Sequence, residues 1–484
     1  PDFRNTMTRE SLWIDGLYNP LWIHEDLRRR RVFLVTEQCK EINRNENHKQ
    51  DFTVMTLLKA CARKKDICKG TRLHYQLMKK KILGNNPFVA SALISMYAKC
   101  GMLPKSQEVL DELPFRDVVS WSALISGYSQ HGQDHKALIC FEQMQNEGIL
   151  PDVVTFSCVL KACGHTGSIC KGEKIHEEIV NKDLLERNII LGNVLVDMYT
   201  RCGVLEKAHK VLIELPVRDV VSWSTLIAGY GECGRCHEAL HCFDQMLSEE
   251  ISPNSITFTC ILKACASIGA IDKGKQIHEE ITTMGLLKND IVLGNALVDM
   301  YAKCGAFGKA QKVLTEIPIR NTLSWNALIA GYVQQGQCHE ALNCLQQMQK
   351  DGLSPNLSTY LCIIKACGNI GAIEIGKLIH HEILNKGMLG KDSLLGSALV
   401  GMYAKCGMLG KAKDVFDELP VQDVVSWSAL ISGYAHKGQC HEALLCFKQM
   451  RSCGVSPDVV TFICILKACG YTRAINEGKL IHDE

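Results

Sequence analysis

From Val118 onward the apolar positions recur at helical spacing. Trp121, Leu124, Ile125 and Tyr128 follow i, i+3, i+4, i+7, and after a break at Gly132 a second stripe runs through Ala137, Leu138, Phe141 and Met144. Gly148 and Pro151 stop the second stripe, because glycine closes a helix in the left-handed conformation and proline has no amide donor to continue one. Residues 118–152 therefore predict two short helices joined by a tight turn. A single hairpin of this kind cannot bury both stripes, so it folds by stacking on others like it. Others are present: Trp121 returns as Trp223, Trp325 and Trp427, each 102 residues after the last. So strict a period specifies an all-α array, and counting domains from the length of 484 residues is then the wrong frame.

Each 102-residue unit divides into related pieces of 35, 36 and 31 residues. In chain order the boundaries are 51–86, 87–117, 118–152, 153–188, 189–219, 220–254, 255–290, 291–321, 322–356, 357–392, 393–423 and 424–458, followed by a piece from 459 that stops at 484. Residues 1–50 lie outside the register, and their Arg28–Arg31 run reads as the solvated face of a degenerate helix. The last piece holds 26 of 36 residues, which is expected of a fragment of a longer protein. Gly127, Gly229, Gly331 and Gly433 fall inside first helices, where glycine costs about 1 kcal/mol relative to alanine. The expected compensation is close helix–helix approach beside the tryptophan.

Composition adds three constraints. Hydrophobic residues at 46% and charged residues at 22% suit a folded chain, and no uncharged apolar run approaches the ~20 residues of a membrane-spanning helix. A net charge of +2 argues against indiscriminate polyanion binding. Most of the 25 cysteines recur at the same period, as in Cys100, Cys202, Cys304 and Cys406, or Cys163, Cys265, Cys367 and Cys469, and read as small buried residues in a reducing compartment. No phosphate-cradling glycine loop or G-x-S-x-G elbow is present, and no metal or cofactor is predicted.

The three pieces carry VVSWSALISGY with a terminal PD, then LKAC with GEKIHEEI, then LGNVLVDMYTRCG with ELPVRD. In this order they resemble the P, L and S motifs of plant pentatricopeptide repeat proteins of the PLS class, over residues 51–484. The resemblance implies a right-handed superhelical solenoid of about eleven complete motifs. It also implies sequence-specific binding of single-stranded organellar RNA, in mitochondrion or chloroplast, at one nucleotide per motif. In such proteins the fifth and last residues of a motif choose the base, and proteins of this class often end in a zinc-dependent cytidine deaminase. His176-Glu177-Glu178, His278-Glu279-Glu280 and the pair Cys233 and Cys236 imitate parts of that zinc site, but the histidines recur with the repeat and no proline precedes Cys233. This chain is therefore read as non-enzymatic, with any deaminase domain beyond Glu484 or on a partner.

Every complete piece ends in Asp or Asn directly before a helix, which by itself is a capping pattern. Base chemistry gives a reason to use both. Guanine and uracil offer a ring N–H that a carboxylate accepts, while adenine and cytosine offer a ring nitrogen to which an amide donates. The fifth residue adds size: Ser leaves room for a purine, and Asn suits a pyrimidine. The pairs in P and S pieces are Ser91 with Asp117 (G), Ser122 with Asp152 (G), Asn193 with Asp219 (U) and Ser224 with Asn254 (A). Asn295 with Asn321 and Asn326 with Asn356 follow (pyrimidines), then Ser397 with Asp423 and Ser428 with Asp458 (both G). The expected target is 5′-GG-n-UA-n-YY-n-GG-3′, the L pieces being left open because their fifth residues are Met55, Ser157, Thr259, Leu361 and Ile463.

At about 100° per residue the second position of a motif lies about 60° from the fifth. The apolar Val119, Ile190, Val221, Val292, Leu323, Leu394 and Val425 there are candidates to flank a base or to join the core. Lys99, Lys161, Arg201, Lys263, Lys303, Lys365 and Lys405 fall near the same direction and are candidates for the RNA backbone, which a near-neutral chain can serve only with sorted cations. The leading expectation is the recognition part of a C-to-U editing factor, working with editing-complex proteins. RNA binding for splicing or transcript stabilisation, and a protein-binding scaffold of tetratricopeptide type, are the alternatives.

Overall fold

The computed structural model describes residues 47–79, 87–186, 188–288, 290–389 and 393–472. These form 25 α-helices, one 3₁₀ turn at Leu286–Lys288 and no strand among the described residues. The chain divides into two compact units, Pro1–Gly229 and Tyr230–Glu484.

In the first unit the helices are α1 (Asn47–Lys64), α2 (Ile67–Lys79), α3 (Pro87–Lys99), α4 (Leu103–Asp111), α5 (Val118–Gln130), α6 (Asp134–Asn146), α7 (Val153–Thr166), α8 (Ile169–Asn181), α9 (Ile189–Arg201) and α10 (Leu205–Glu214). The division falls inside α11 (Val220–Glu232). The odd-numbered helices pack side by side, and each even one lies in the angle between its own partner and the next odd helix. The second unit repeats this with α12 (Cys236–Ser248), α13 (Ser255–Ile268), α14 (Ile271–Thr283), α15 (Ile291–Lys303), α16 (Phe307–Glu316), α17 (Thr322–Gln334) and α18 (Cys338–Lys350). It continues through α19 (Leu357–Ile370), α20 (Ile373–Asn385), α21 (Ser393–Lys405), α22 (Leu409–Asp417), α23 (Val424–His436), α24 (Cys440–Ser452) and α25 (Val459–Thr472). Among the described residues, α1–α10 make five hairpins within the first unit and α13–α24 make six within the second, in line with about eleven complete motifs.

The punctuation of the chain explains these boundaries. Asp117, Asp152, Asn254, Asn321, Asn356 and Asp423 each accept the third backbone N–H of the following helix, a cap worth about 1 kcal/mol. Gly132 and Gly148 take positive φ of 68° and 75° at the turn and at the end of the first 35-residue piece, a conformation that a side chain resists. Where the punctuation is missing the boundary shifts. Gln50 stands where other pieces carry Asp or Asn, no proline precedes it, and α1 begins at Asn47, inside the segment assigned to the out-of-register N-terminus.

Trp121, Leu124, Ile125 and Tyr128 are buried, as are Ala137, Leu138, Phe141 and Met144, so both stripes meet in one core. Gly127 earns its place against the preceding odd helix: a Cβ there would lie 2.5 Å from Ala98 Cβ and 3.3 Å from Leu103 Cδ2. The close approach is thus between α3 and α5. Cys163, Cys265 and Cys367 are buried as expected, but Cys100, Cys202, Cys304 and Cys406 are only half-buried. The latter sit at helix ends, and the Cys202 thiol donates to the Cys163 carbonyl at 3.7 Å.

Candidate nucleic-acid interface

The odd helices carry the residues singled out by the sequence, at three depths. The fifth residues form the floor: Ser91, Ser122, Ser224, Asn326, Ser397 and Ser428 are buried, and Asn193 and Asn295 are half-buried. The terminal residues stand higher, half-buried at Asp117, Asp152, Asp219, Asn254, Asn321, Asp423 and Asp458 and exposed at Asn356. The second residues form the rim, Val119 being 48% exposed and Ile190 65%. Val221, Val292, Leu323, Leu394 and Val425 are likewise exposed, which removes the core explanation for them. Phe88, Val154, Ile256 and Val460 occupy the same second position and are exposed too; extending the motif register to the first S piece and to the L pieces would have found them.

The floor and the terminal residues touch. Ser122 Oγ lies 3.2 Å from Asp152 Oδ1, Asn193 Nδ2 3.2 Å from both Asp219 oxygens, and Asn295 Nδ2 3.4 Å from Asn321 Oδ1. Asn326 Nδ2 donates to Asn356 Oδ1 at 3.0 Å, Ser397 Oγ to Asp423 Oδ1 at 3.1 Å, and Ser428 Oγ to Asp458 Oδ1 at 3.0 Å. Ser91 donates to the Pro87 carbonyl at 2.7 Å, a back-bond that Ser122 and Ser397 also make, to Val118 and Ser393 at 2.6 and 3.0 Å. In the L pieces Ser157 and Thr259 also turn back onto their own helices, at the Val153 and Ser255 carbonyls. The terminal Asn188 and Asp290 only cap, through Leu191 and Leu293. Asn86 and Asp392 lie outside the described residues.

Capping occupies one atom of the terminal side chain. Asp152 Oδ1 takes the Thr155 N–H at 2.8 Å and the Thr155 hydroxyl at 2.7 Å, and Asn356 Oδ1 takes the Thr359 N–H at 3.1 Å. Asp152 Oδ2 and Asn356 Nδ2 have no hydrogen-bond partner among the described residues. The same holds for Oδ2 of Asp423 and Asp458 and for Nδ2 of Asn254 and Asn321. A carboxylate therefore presents an acceptor and an amide presents a donor, on one backbone frame. Burial alone would raise the Asp458 carboxyl, but hydrogen bonds from Thr461 and Ser428 outweigh it and hold it below the usual value, so it is an acceptor at neutral pH.

Models of the PPR repeat family match residues 116–165, 218–267, 320–369 and 422–470, and those of the PPR repeat match 88–118, 193–220 and 397–424. The chain belongs to the pentatricopeptide repeat family. A chloroplastic pentatricopeptide repeat-containing protein of Arabidopsis thaliana is 36% identical over 86% of this chain and 66% of its own length. A mitochondrial one from the same plant is 33% identical over 89% of this chain and 62% of its own. The chain thus spans about two-thirds of the length of these relatives. Among solved structures, the pentatricopeptide repeat protein PPR10 in complex with an 18-nucleotide psaJ RNA element shares the solenoid fold, with a TM-score of 0.68 over 83% of this chain and 61% of that one at 17% identity.

On this pentatricopeptide array the candidate cations Lys99, Lys161, Arg201, Lys263, Lys303, Lys365 and Lys405 are all exposed. They are not equivalent. Arg201 and Lys303 each pair with an aspartate one turn back, Asp197 and Asp299, at 2.9 Å, and Lys405 bonds Asn369 Oδ1 at 3.0 Å. The histidines that imitate a zinc motif serve packing: His176 Nδ1 meets the Tyr199 hydroxyl at 3.0 Å and His278 Nδ1 meets Tyr301 at 2.9 Å. His74–Tyr97 and His380–Tyr403 repeat the contact, bolting each L hairpin to the next odd helix. Among the described residues no three His, Cys, Asp or Glu side chains converge to hold a metal ion. No helix there is long and apolar enough to cross a membrane.

Proposed function

We propose that this pentatricopeptide array binds single-stranded RNA in a sequence-specific way, one nucleotide to each motif, with the base chosen at the P and S motifs. The observation that carries the reading is the division of labour in the terminal residue. One atom caps the next helix whether the residue is Asp or Asn, while the other is an unpartnered acceptor in Asp152, Asp423 and Asp458 and an unpartnered donor in Asn254, Asn321 and Asn356. A capping role gives no use for that difference; the Watson–Crick edges of the bases do. A base stacked between exposed second residues, such as Val119 and its neighbours, would sit above the fifth residue with its edge toward the terminal one. The solved PPR10 complex with RNA, on the same fold, supports the assignment.

The order of P, L and S pieces supports a narrower role, as the recognition part of an organellar C-to-U editing factor whose deamination is supplied elsewhere. The chloroplastic and mitochondrial names of the relatives support an organellar setting. The target on this reading is 5′-GG-n-UA-n-YY-n-GG-3′. Selection from randomised single-stranded RNA followed by sequencing of the bound fraction tests it. Recovery of that consensus is the expected outcome, and a bound pool with no preference at these positions would remove the specificity claim.

A further inference from the structure

Beyond the two residues of each pair, a third side chain converges on the same atoms. After every P piece the third residue of the next helix is threonine: Thr155, Thr257, Thr359 and Thr461, all with no solvent exposure. Thr359 Oγ1 donates to Asn326 Oδ1 at 2.7 Å and lies 3.0 Å from Asn356 Oδ1, so its one proton is shared between the fifth and last residues of the same motif. Asn356 Oδ1 also takes the Thr359 N–H and the Asn326 amide. Every group around that atom is a donor, so only the carbonyl oxygen fits there, and Nδ2 of Asn356 must face outward. Asn326 is fixed by the same logic, its oxygen on Thr359 and its nitrogen on Asn356.

The serine motifs have the same clasp. Thr155 Oγ1 lies 2.6 Å from Ser122 Oγ and 2.7 Å from Asp152 Oδ1, and Thr461 stands 2.6 Å from Ser428 and 2.7 Å from Asp458. The L pieces supply the contrast. There the third residue of the following helix is Leu191 or Leu293, which has no hydroxyl, and the terminal Asn188 or Asp290 holds a single backbone N–H at 3.3 or 3.1 Å.

We infer that Thr155, Thr359 and Thr461 are positioning residues for base choice: the hydroxyl keeps the oxygen of Asn356 inward and its amide nitrogen outward, and it fixes the plane of the Asp152 and Asp458 carboxylates, whose two oxygens are equivalent, so that the free oxygen is held toward the nucleotide. The inference rests on the proposed reading of RNA. It predicts that base discrimination of a motif depends on a residue outside that motif, in the first turn of the next.

Thr359→Val tests it, since valine keeps the branched shape and removes the hydroxyl. Affinities are measured for an RNA matched to the array and for one with a purine at the nucleotide facing Asn326 and Asn356. The wild-type protein should prefer the pyrimidine, and in T359V that preference should fall about fivefold, the worth of one neutral hydrogen bond. T359S should restore it. Preferences at the nucleotides facing the other motifs should stay unchanged, which also reports that the array is folded. Thr155→Val should do the same at its own guanine only, and it stands in if T359V does not fold. Wild-type discrimination retained in full by both valine variants overturns the clasp and leaves the two-residue reading standing. A wild-type protein that binds RNA without preference at that nucleotide overturns both.

Discussion

Gly331 offers a measurement in which one substitution at two neighbouring sites should act with opposite sign. A Cβ at Gly331 in α17 would lie 2.5 Å from Ala302 Cβ, 3.1 Å from the Ala302 carbonyl carbon and 3.2 Å from its Cα. Carbon pairs rest at about 3.5–4.0 Å, and two of these three atoms are backbone, so no rotamer change relieves the overlap and α15 and α17 must part by roughly an ångström. Overpacking of this kind costs about 1–3 kcal/mol, here in the upper half of that range. Replacing a mid-helix glycine by alanine returns about 1 kcal/mol. Gly331→Ala should therefore lose about 1–2 kcal/mol net. Gly308 in α16 is exposed and has nothing within 4 Å of where a Cβ would stand. Gly308→Ala should gain about 0.5–1 kcal/mol by narrowing the unfolded ensemble. Urea unfolding followed by far-ultraviolet circular dichroism reads both. A Gly331→Ala protein as stable as the parent would refute the close approach as the reason for that glycine.

Other outcomes follow from the same contacts. Trp121 Nε1 donates to Glu147 at 3.1 Å, whereas Trp325 Nε1 is buried without a partner among the described residues, and the shorter Asp351 stands at the position of Glu147 and pairs with Arg320 at 3.0 Å. Asp351→Glu should reach the indole, raise stability by about 1 kcal/mol and be visible in the urea midpoint. Burial pushes His74 down to about 4, so it is neutral when folded and protonated when unfolded between pH 6.5 and 4. Its contribution is fully present above pH 6.5 and falls by about 2 kcal/mol at pH 5, so unfolding midpoints should drop over that window and drop less in His74→Gln; equal slopes would contradict this. Lys161→Gln should lower the slope of log affinity for RNA against log salt by about 0.7, and Arg201→Gln, whose guanidinium already pairs with Asp197, by less.

Much of the architecture could be read from the residues because the chain marks its own boundaries. Trp121, Leu124 and Phe141 set the stripes, Asp152 starts a helix and Gly148 ends one, and each signal is local. Where the local signal was absent, at Gln50, the boundary moved. Contacts between residues about 30 apart were less legible, since they depend on how one hairpin settles against the next. Periodicity marked Gly127 as special and could not say that Ala98 was the reason. Likewise the pairs Ser122–Asp152 and Asn326–Asn356 were legible only through family resemblance, and Thr359 not at all, because its hydroxyl matters through proton bookkeeping that spacing does not record. The cysteines at positions 100, 202, 304 and 406 share a period with buried ones but sit at helix ends, where part of their surface stays open.

On the proposed reading, the terminal residue of a motif chooses a base with the atom that capping leaves over. Asn254→Asp isolates it. Asp and Asn cap about equally well, and Oδ1 keeps the Thr257 N–H at 2.9 Å, so fold and stability should hold while the outward donor becomes an acceptor. Binding is measured for two RNAs that differ only in A or G at the corresponding nucleotide. The preferred base should move from A to G in the variant; an unchanged preference for A would reduce Asn254 to a helix cap and contradict the account.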